Sequence, residues 1–439
     1  MKALEIRRAE RLGGSVAVPG AKNSALALLA AACLSDEAVT LHNVPGISDV
    51  AVVADIIRGM GGAMRRAGHT AVVDPEGIAA AVVEPADAKK IRTAYYFIGA
   101  LLARFGRVSV GYAGGDDFVH RPIDQHLKGL RALGATVSQH ADHYVVEAAG
   151  LTGAEILFDT ITSGATMNLM MAAVRARGRT VLRNAARDPE VVDLAVLLNE
   201  MGASVVGAGT DVIRIEGVSR LRGATHAVIP DRLIAASLIT ALGVTGGRLA
   251  LEHVVPEHLT NLMAKYREIG YSFETDHDQL LVAETDGRIL PARARIGMYP
   301  LFSPDFQQPL SALLLKAQGV SVISDRIYPL RFNQCPEFLR MGAMLRYRAG
   351  SVRIHGGRPL TGTTVHAGDI RAGTALIIAG LQAAGTTVLT GAEHLDRGFE
   401  DVVALFSDMG APIRRLSAEA PVSGDAGRMR ESFPGEGVS

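Results

Sequence analysis

Six times along the chain a bulky apolar residue is followed by Gly and usually Ala, at the end of a helical pattern. The copies read "RGMGGAM", "RALGATV", "NEMGASV", "REIGYSF", "FLRMGAM" and "SDMGAPI", with the shared glycine at Gly61, Gly134, Gly202, Gly270, Gly342 and Gly410. Successive glycines lie 73, 68, 68, 72 and 68 residues apart. That spacing is too even for accident and too long for a solenoid, whose repeats run about 20–50 residues. Each glycine reads as the first residue past a helix, where a left-handed backbone is needed and Gly adopts it without a Cβ penalty.

Roughly 20 to 30 residues ahead of each copy stands a short Val-, Leu- and Thr-rich segment, "EAVTLHN", "GRVSVGY", "GRTVLRN", "GRLALEH", "GVSVISD" or "GTTVLTG", which reads as a strand. Ahead of each strand is another helical segment: "AKNSALALLAAACL", "IRTAYYFIGALLARFG", "SGATMNLMMAAVRARG", "RLIAASLITALGVTG", "PLSALLLKAQG" and "RAGTALIIAGLQAAG". These six are apolar on nearly every side and so belong in a core. Segments such as "PEVVDLAVLLNEMG" and "GFEDVVALFSDMG" carry charge on one face and belong outside or against a sheet. Six units in two groups of three put the buried helices at the centre and the sheets around them, an inside-out α/β arrangement.

The chain has 439 residues, 48% hydrophobic and 21% charged, enough for a large core and two or three domains. Its 45 basic and 45 acidic residues cancel, so no global field draws in nucleic acid or an anionic membrane. Small molecules are the expected partners, with any anion bound by a local cluster. Cys33 and Cys335 form no disulfide framework or metal spacing and fit a reducing cytoplasm. The histidines are scattered, so neither a metal nor a cofactor is expected. No apolar run approaches the roughly 18 residues of a membrane span, and the first residues have no leader pattern.

Helix N-termini present unpaired N–H groups and the positive end of the dipole. The starts of the buried helices carry Lys22 and Asn23, Arg92, Ser163 and Gly164, Asp231 and Arg232, Asp305, and Asp369 with Arg371. Cations at the ends of apolar helices are rarely buried unless paired. Several in one chain point to a shared anionic ligand, against the plainer reading that "DR" and "DIR" are local ion pairs.

The segments "PGAKNSALALLAA", "HRPIDQHLKGLRALGA", "NAARDPEVVDL", "VIPDR", "RFNQCPEFLRMGA", "GDIRAGTALIIAGL" and "HLDRGFED" resemble the UDP-N-acetylglucosamine enolpyruvyl transferases, the MurA family, over residues 3 to 415. EPSP synthase shares the fold and the chemistry but not "GAKN" or "RPID". The resemblance implies a two-domain inside-out α/β barrel of six βαβαββ-type units: a first domain over 22–229 with a mobile lid at 112–122, a second over 1–21 plus 230–417, and a disordered tail over 418–439. It also implies transfer of the enolpyruvyl group of phosphoenolpyruvate to the 3-hydroxyl of the sugar, with release of phosphate.

Carried over by position, Lys22, Arg121 and Arg397 fall where the family binds phosphate. Arg92, Arg331 and Arg371 match further substrate-contacting arginines. Asn23 matches a sugar contact, and Asp305 the carboxylate that takes the acceptor proton. Arg121, Pro122, Ile123, Asp124 and His126 match the uridine-holding segment, His126 being equally a structural histidine. Thr162, Ser163 and Gly164 match a second nucleotide-binding stretch, and Ile327 a further acceptor contact. In "GGDDFVHRPIDQH" the family's lid cysteine is Asp116, a carboxylic acid able to protonate the methylene carbon if a dry site raises its pKa. Asp117 takes that role if the register is off by one.

The departures from the family pattern cluster at the acceptor: Phe118, Val119 and His120 in the lid, Thr160, Ser163, Met167 and Pro304. They leave open a paralogue that enolpyruvylates another uridine nucleotide such as UMP, and, in another class, a non-catalytic nucleotide-binding protein. Without a lid thiolate the epoxide fosfomycin has no nucleophile to alkylate. Intact-mass spectrometry after incubation with fosfomycin and substrate is expected to show the unmodified chain; an adduct at residue 116 would refute this alignment.

Overall fold

The computed structural model describes residues 2–115, 122–276 and 280–416. The lid residues Asp116, Asp117, Phe118, Val119, His120 and Arg121, and the tail beyond 416, lie outside the described residues.

All six repeated glycines have positive φ, between 87° at Gly410 and 110° at Gly270. Each follows an outer helix, here Ser48–Gly59, Asp124–Ala132, Pro189–Glu200, Thr260–Glu268, Gln334–Arg340 and Val402–Ser407. The six central helices are Lys22–Ala32, Tyr96–Phe105, Ser163–Ala173, Arg232–Leu242, Pro304–Leu314 and Ile370–Gly380. Arg232–Leu242 and Ile370–Gly380 are buried at every residue. The second central helix begins later than its sequence pattern suggests. Arg92–Tyr95 forms a 3-10 turn, common at helix starts, and the Arg92 guanidinium lies 5.1 Å above the Tyr95 ring.

Among the described residues the strands assemble into six four-stranded sheets. In the third unit, Glu155–Leu157 runs parallel to Arg179–Arg183, which is antiparallel to Val212–Glu216, itself antiparallel to the edge strand Ser204–Val206. The other sheets repeat this order and stay separate, so the surround of each helix trio is built of independent sheets rather than one closed ladder. Three sheets borrow a strand. The N-terminal Ala3–Arg7 completes the sixth. Gly14–Ala17 joins the sheet of Gly247–Glu252, and Thr225–Ala227 joins that of Val39–His42.

The buried apolar side chains form two cores, one from Ala21 to Val228, the other from Leu4 to Val18 with Leu233 to Ile413. Two adjacent strands of chain link them. Ala21 N–H donates to the Ile229 carbonyl (2.7 Å), Asp231 N–H to the Pro19 carbonyl (2.8 Å), and Gly20 bridges Pro230. A Cβ at Gly20 would lie 1.8 Å from the Asn43 carbonyl oxygen, so only glycine fits. Gly20→Ala is expected to cost about 1–3 kcal/mol, as overpacking does when backbone must move; urea unfolding monitored by circular dichroism checks it.

Candidate active site

The linkage brings every central helix to one place. A cavity of about 500 Å³ is lined by Lys22 and Asn23, Arg92 and Thr93, Ser163 and Gly164, Arg232, Pro304 and Asp305, and Ile370 and Arg371. These five pairs and Arg232 belong each to the first turn, or the turn just before it, of a different central helix. Six dipole positive ends around one cavity make a strong anion site.

The acids that precede these arginines in sequence do not pair with them. Asp231 caps its helix, accepting from Leu233 N–H (2.8 Å) and Ile234 N–H (3.1 Å), and its other oxygen accepts from Lys22 N–H (3.1 Å). One buried carboxylate thus holds the N-termini of two helices from different cores. Burial raises its pKa against the opposing effects of Arg371 and the three N–H donors. Asp369 caps the last central helix likewise, accepting from Arg371 N–H (2.8 Å) and Ala372 N–H (3.2 Å). The arginine side chains point elsewhere, which removes the local-ion-pair reading.

Lys22 and Arg397, at the two expected phosphate positions within the described residues, meet at Asp49. Lys22 Nζ lies 2.8 Å from Asp49 Oδ2, and Arg397 donates through Nε (3.0 Å) and Nη2 (3.1 Å) to its two oxygens. Lys22 belongs to one core and Arg397 to the other. Asp49 went unmarked in the sequence because one acid in the first turn of an amphipathic helix looks like a dipole partner. Gly115, the residue before Asp116, has φ 94°, and a Cβ on it would lie 3.2 Å from both Arg397 Nη2 and Arg92 N.

On the other side, Asp305 accepts from Arg331 Nη1 (2.9 Å), with Arg371 Nε at 3.5 Å; Arg331 also reaches Asp369 (3.4 Å). Burial works to raise the Asp305 pKa, but Arg371 and Arg331 overcome it and hold the carboxyl well below its ordinary value. With its arginines in place Asp305 is a fixed anion and a weak base.

Around the remaining wall Arg232 donates from Nε and Nη2 to Glu190 (3.1 and 3.2 Å) and from Nη2 to Asp188 (3.3 Å), while Ser163 Oγ donates to Asp188 (2.7 Å). Burial and the charge of Glu190 raise the Asp188 pKa. Asn23, Pro122, Asp124, His126, Thr162, Ser163, Gly164 and Ile327 line the cavity, as do Thr160, Met167 and Pro304. Ile123 is not on that wall. Its side chain is buried in the first core, because the turn opening Asp124–Ala132 directs this apolar residue inward. His126 is buried, and Nδ1 accepts from the Asn168 amide (2.9 Å); burial, helped by the charge of Arg92, lowers its pKa to about 3. A neutral imidazole packed against Gly164 shapes the wall and carries no charge.

Behind the Lys22 helix lies a network that the sequence pattern did not reveal. Ser24 Oγ donates to Asp193, which also accepts from Ile229 N–H (3.4 Å) and bonds His226 Nε2 (2.7 Å); His226 Nδ1 reaches Glu200 (2.9 Å). Burial alone would lower the His226 pKa, but hydrogen bonds and charges from Asp193 and Glu200 raise it overall. Asp193 ties the first turn of the Lys22 helix to the linkage strand. The four residues are scattered over three elements, so no spacing signals them.

The EPSP synthase (3-phosphoshikimate 1-carboxyvinyltransferase) family profile matches residues 6–405. UDP-N-acetylglucosamine 1-carboxyvinyltransferase 2 of Geobacillus kaustophilus is 46% identical over 416 residues, covering 94% of this chain and 97% of that protein. The protein of the same name from Bacillus subtilis is 42% identical, with 94% and 97% covered. Among solved structures, the enolpyruvyl transferase NikO from Streptomyces tendae superposes with a TM-score of 0.85 at 25% identity, over 95% of this chain and 99% of that one. EPSP synthase from Acinetobacter baumannii, at 17% identity and a TM-score of 0.71, shares the fold.

The raised His226 pKa sets a direction for stability. The imidazolium's contribution is fully present below the unfolded value of about 6.5 and is lost as pH rises through the folded value. The stability difference between the native chain and His226→Gln is therefore expected to shrink as pH rises through that window. Urea midpoints measured across the range check it, and a difference that stays constant or grows would contradict it.

Proposed function

The chain belongs to the EPSP synthase family of enolpyruvyl transferases and, within it, to the UDP-N-acetylglucosamine 1-carboxyvinyltransferases, and from that premise we propose how its residues carry the reaction. The enolpyruvyl group of phosphoenolpyruvate passes to the 3-hydroxyl of UDP-N-acetylglucosamine with release of phosphate, in peptidoglycan precursor synthesis. The observation that supports this most is the pairing of Lys22 and Arg397, from separate cores, on one carboxylate at the mouth of six helix N-termini. Two cations gathered on Asp49 are ready to transfer to a phosphate, which offers more oxygens and more charge.

In the addition step a proton is delivered to the methylene carbon and the acceptor oxygen bonds to the neighbouring carbon, giving a tetrahedral ketal. Elimination then returns a proton from the new methyl group and expels phosphate. Asp116, which follows Gly115 in the chain, is our assignment for the acid, with Asp117 as the alternative. Asp305 is our assignment for the base. Held below its ordinary pKa by Arg331 and Arg371, it gains basicity once the anionic donor shares those guanidiniums. Substrate binding and base activation are then one event. Lys22, Arg92, Arg121, Arg331, Arg371 and Arg397 hold the donor, and the wall from Pro122 to Gly164 with Asn23 and Ile327 holds the nucleotide. Among the described residues no helix is long and apolar enough to cross a membrane; we place the enzyme in the cytoplasm, with its phosphorylated substrates.

Phosphate release with mass detection of the product, run with phosphoenolpyruvate and either UDP-N-acetylglucosamine or UMP, tests the assignment. Product from the sugar nucleotide is expected. Product from UMP alone would transfer the reading to the paralogue, and no phosphate from either would favour a binding protein. Asp305→Asn is expected to lower kcat by about 10²–10⁴, the usual range for a lost proton acceptor, with donor binding retained.

A further inference from the structure

The sixfold repeat allows the outward faces of six equivalent sheets to be compared, and one of them is unlike the rest. Four of the other five carry arginines paired across strands with carboxylates. Arg107 meets Glu147 (2.8 Å), Arg414 meets Glu5 (2.7 Å), Arg248 meets Glu274 (3.3 Å), and Arg179 and Arg183 meet Glu216 and Glu155. The remaining one, built on Val39–His42, carries a single arginine on that face, Arg65.

The fifth unit's sheet comprises Arg293–Ile296, Gly319–Asp325, Ser351–Gly356 and Met344–Arg348. Its register places Arg293, Val322, Arg353 and Arg346 in one outward row and Arg295, Ser324, Ser351 and Arg348 in the next. All five arginines are exposed. Among the described residues none of them pairs with a carboxylate; the nearest to a partner is Arg348, 3.4 Å from the Ser351 hydroxyl. Arg346 and Arg353 stand directly opposite each other, which destabilises a sheet. In a chain of zero formal charge, this is a concentrated local imbalance.

We propose that this face is a docking surface for an acidic protein segment. Neighbouring strands lie about 4.8 Å apart and alternate residues about 6.7 Å apart, so the guanidinium forks form a grid that matches alternating carboxylates of an extended chain. Val320, Val322 and Met344 lie among them on the same face and supply apolar contact; arginine and methionine are enriched in protein interfaces. The face has no Phe, Tyr or Trp for base stacking or for seating in a bilayer, its one ring being His355 between Val320 and Met344, and it has no lysine. The same sheet delivers the site: Arg293–Ile296 runs on to Met298 and Tyr299, and Gly319–Asp325 to Ile327 and Arg331, all lining the cavity.

Fluorescence anisotropy with the full chain and a labelled synthetic peptide of alternating Glu and Thr tests the proposal, beside phosphatidylglycerol vesicles and a DNA duplex. Salt-sensitive peptide binding is expected. Arg346→Ser with Arg353→Ser should weaken it about tenfold or more, as loss of interfacial charge pairs does; Arg107→Ser on another sheet should leave it unchanged. Enolpyruvyl transfer of the double variant should match the native chain, and its melting temperature should be no lower, since a like-charge cross-strand pair is removed. Arg293→Ser with Arg295→Ser on the opposite edge is the second pair. Undiminished peptide binding in both pairs, or tighter arginine-dependent binding to vesicles or duplex than to peptide, would overturn the proposal.

Discussion

Everything at this site depends on a crowding of like dipole ends. Six central helices point their N-termini at one cavity, each with roughly half a positive charge, and lysine and arginine side chains stand among them. Internal anions hold that arrangement. Asp231 satisfies two helices at once, Asp49 gathers Lys22 and Arg397, Asp305 gathers Arg331 and Arg371, and Asp188 with Glu190 gathers Arg232. The carboxylates offset the site's own positive charge, and the cations they hold make it receptive to an anionic donor.

The linkage between the cores serves the same end. Placement of the N-terminal strands Ala3–Arg7 and Gly14–Ala17 in sheets of the second core commits the chain to crossing twice at one point, and Asp231 sits at that point. Asp193 binds the linkage from the other side through Ile229 N–H and Ser24. Lys22 therefore stands on a helix fixed at its first turn by two buried carboxylates from beyond its own element. A binding lysine held in this way loses less rotational freedom when phosphate arrives.

Repetition also supplies an internal standard. Asp231 and Asp369 are equivalent caps in different units, and their shared behaviour shows that the acid before each arginine serves the backbone. Cross-strand Glu–Arg pairs recur on four sheets, so the unpaired arginines of the fifth stand out without reference to another protein.

The sequence by itself determined the six units, the burial of their first helices and the left-handed glycines, because helical period, strand composition and the φ > 0 requirement are local. It also marked Lys22, Asn23, Arg92, Asp305 and Arg371 as starts of helices, and its resemblance to a family supplied their roles. What only the tertiary structure decided is which charges meet. Asp49, Asp188, Glu190 and Asp193 are unremarkable where they stand in the chain, and Ile123 turned inward although its neighbours line the cavity. Lys22 and Arg397 are 375 positions apart in the chain, yet they share one carboxylate; no periodicity encodes that distance, because it is set by how two cores close around a double crossing.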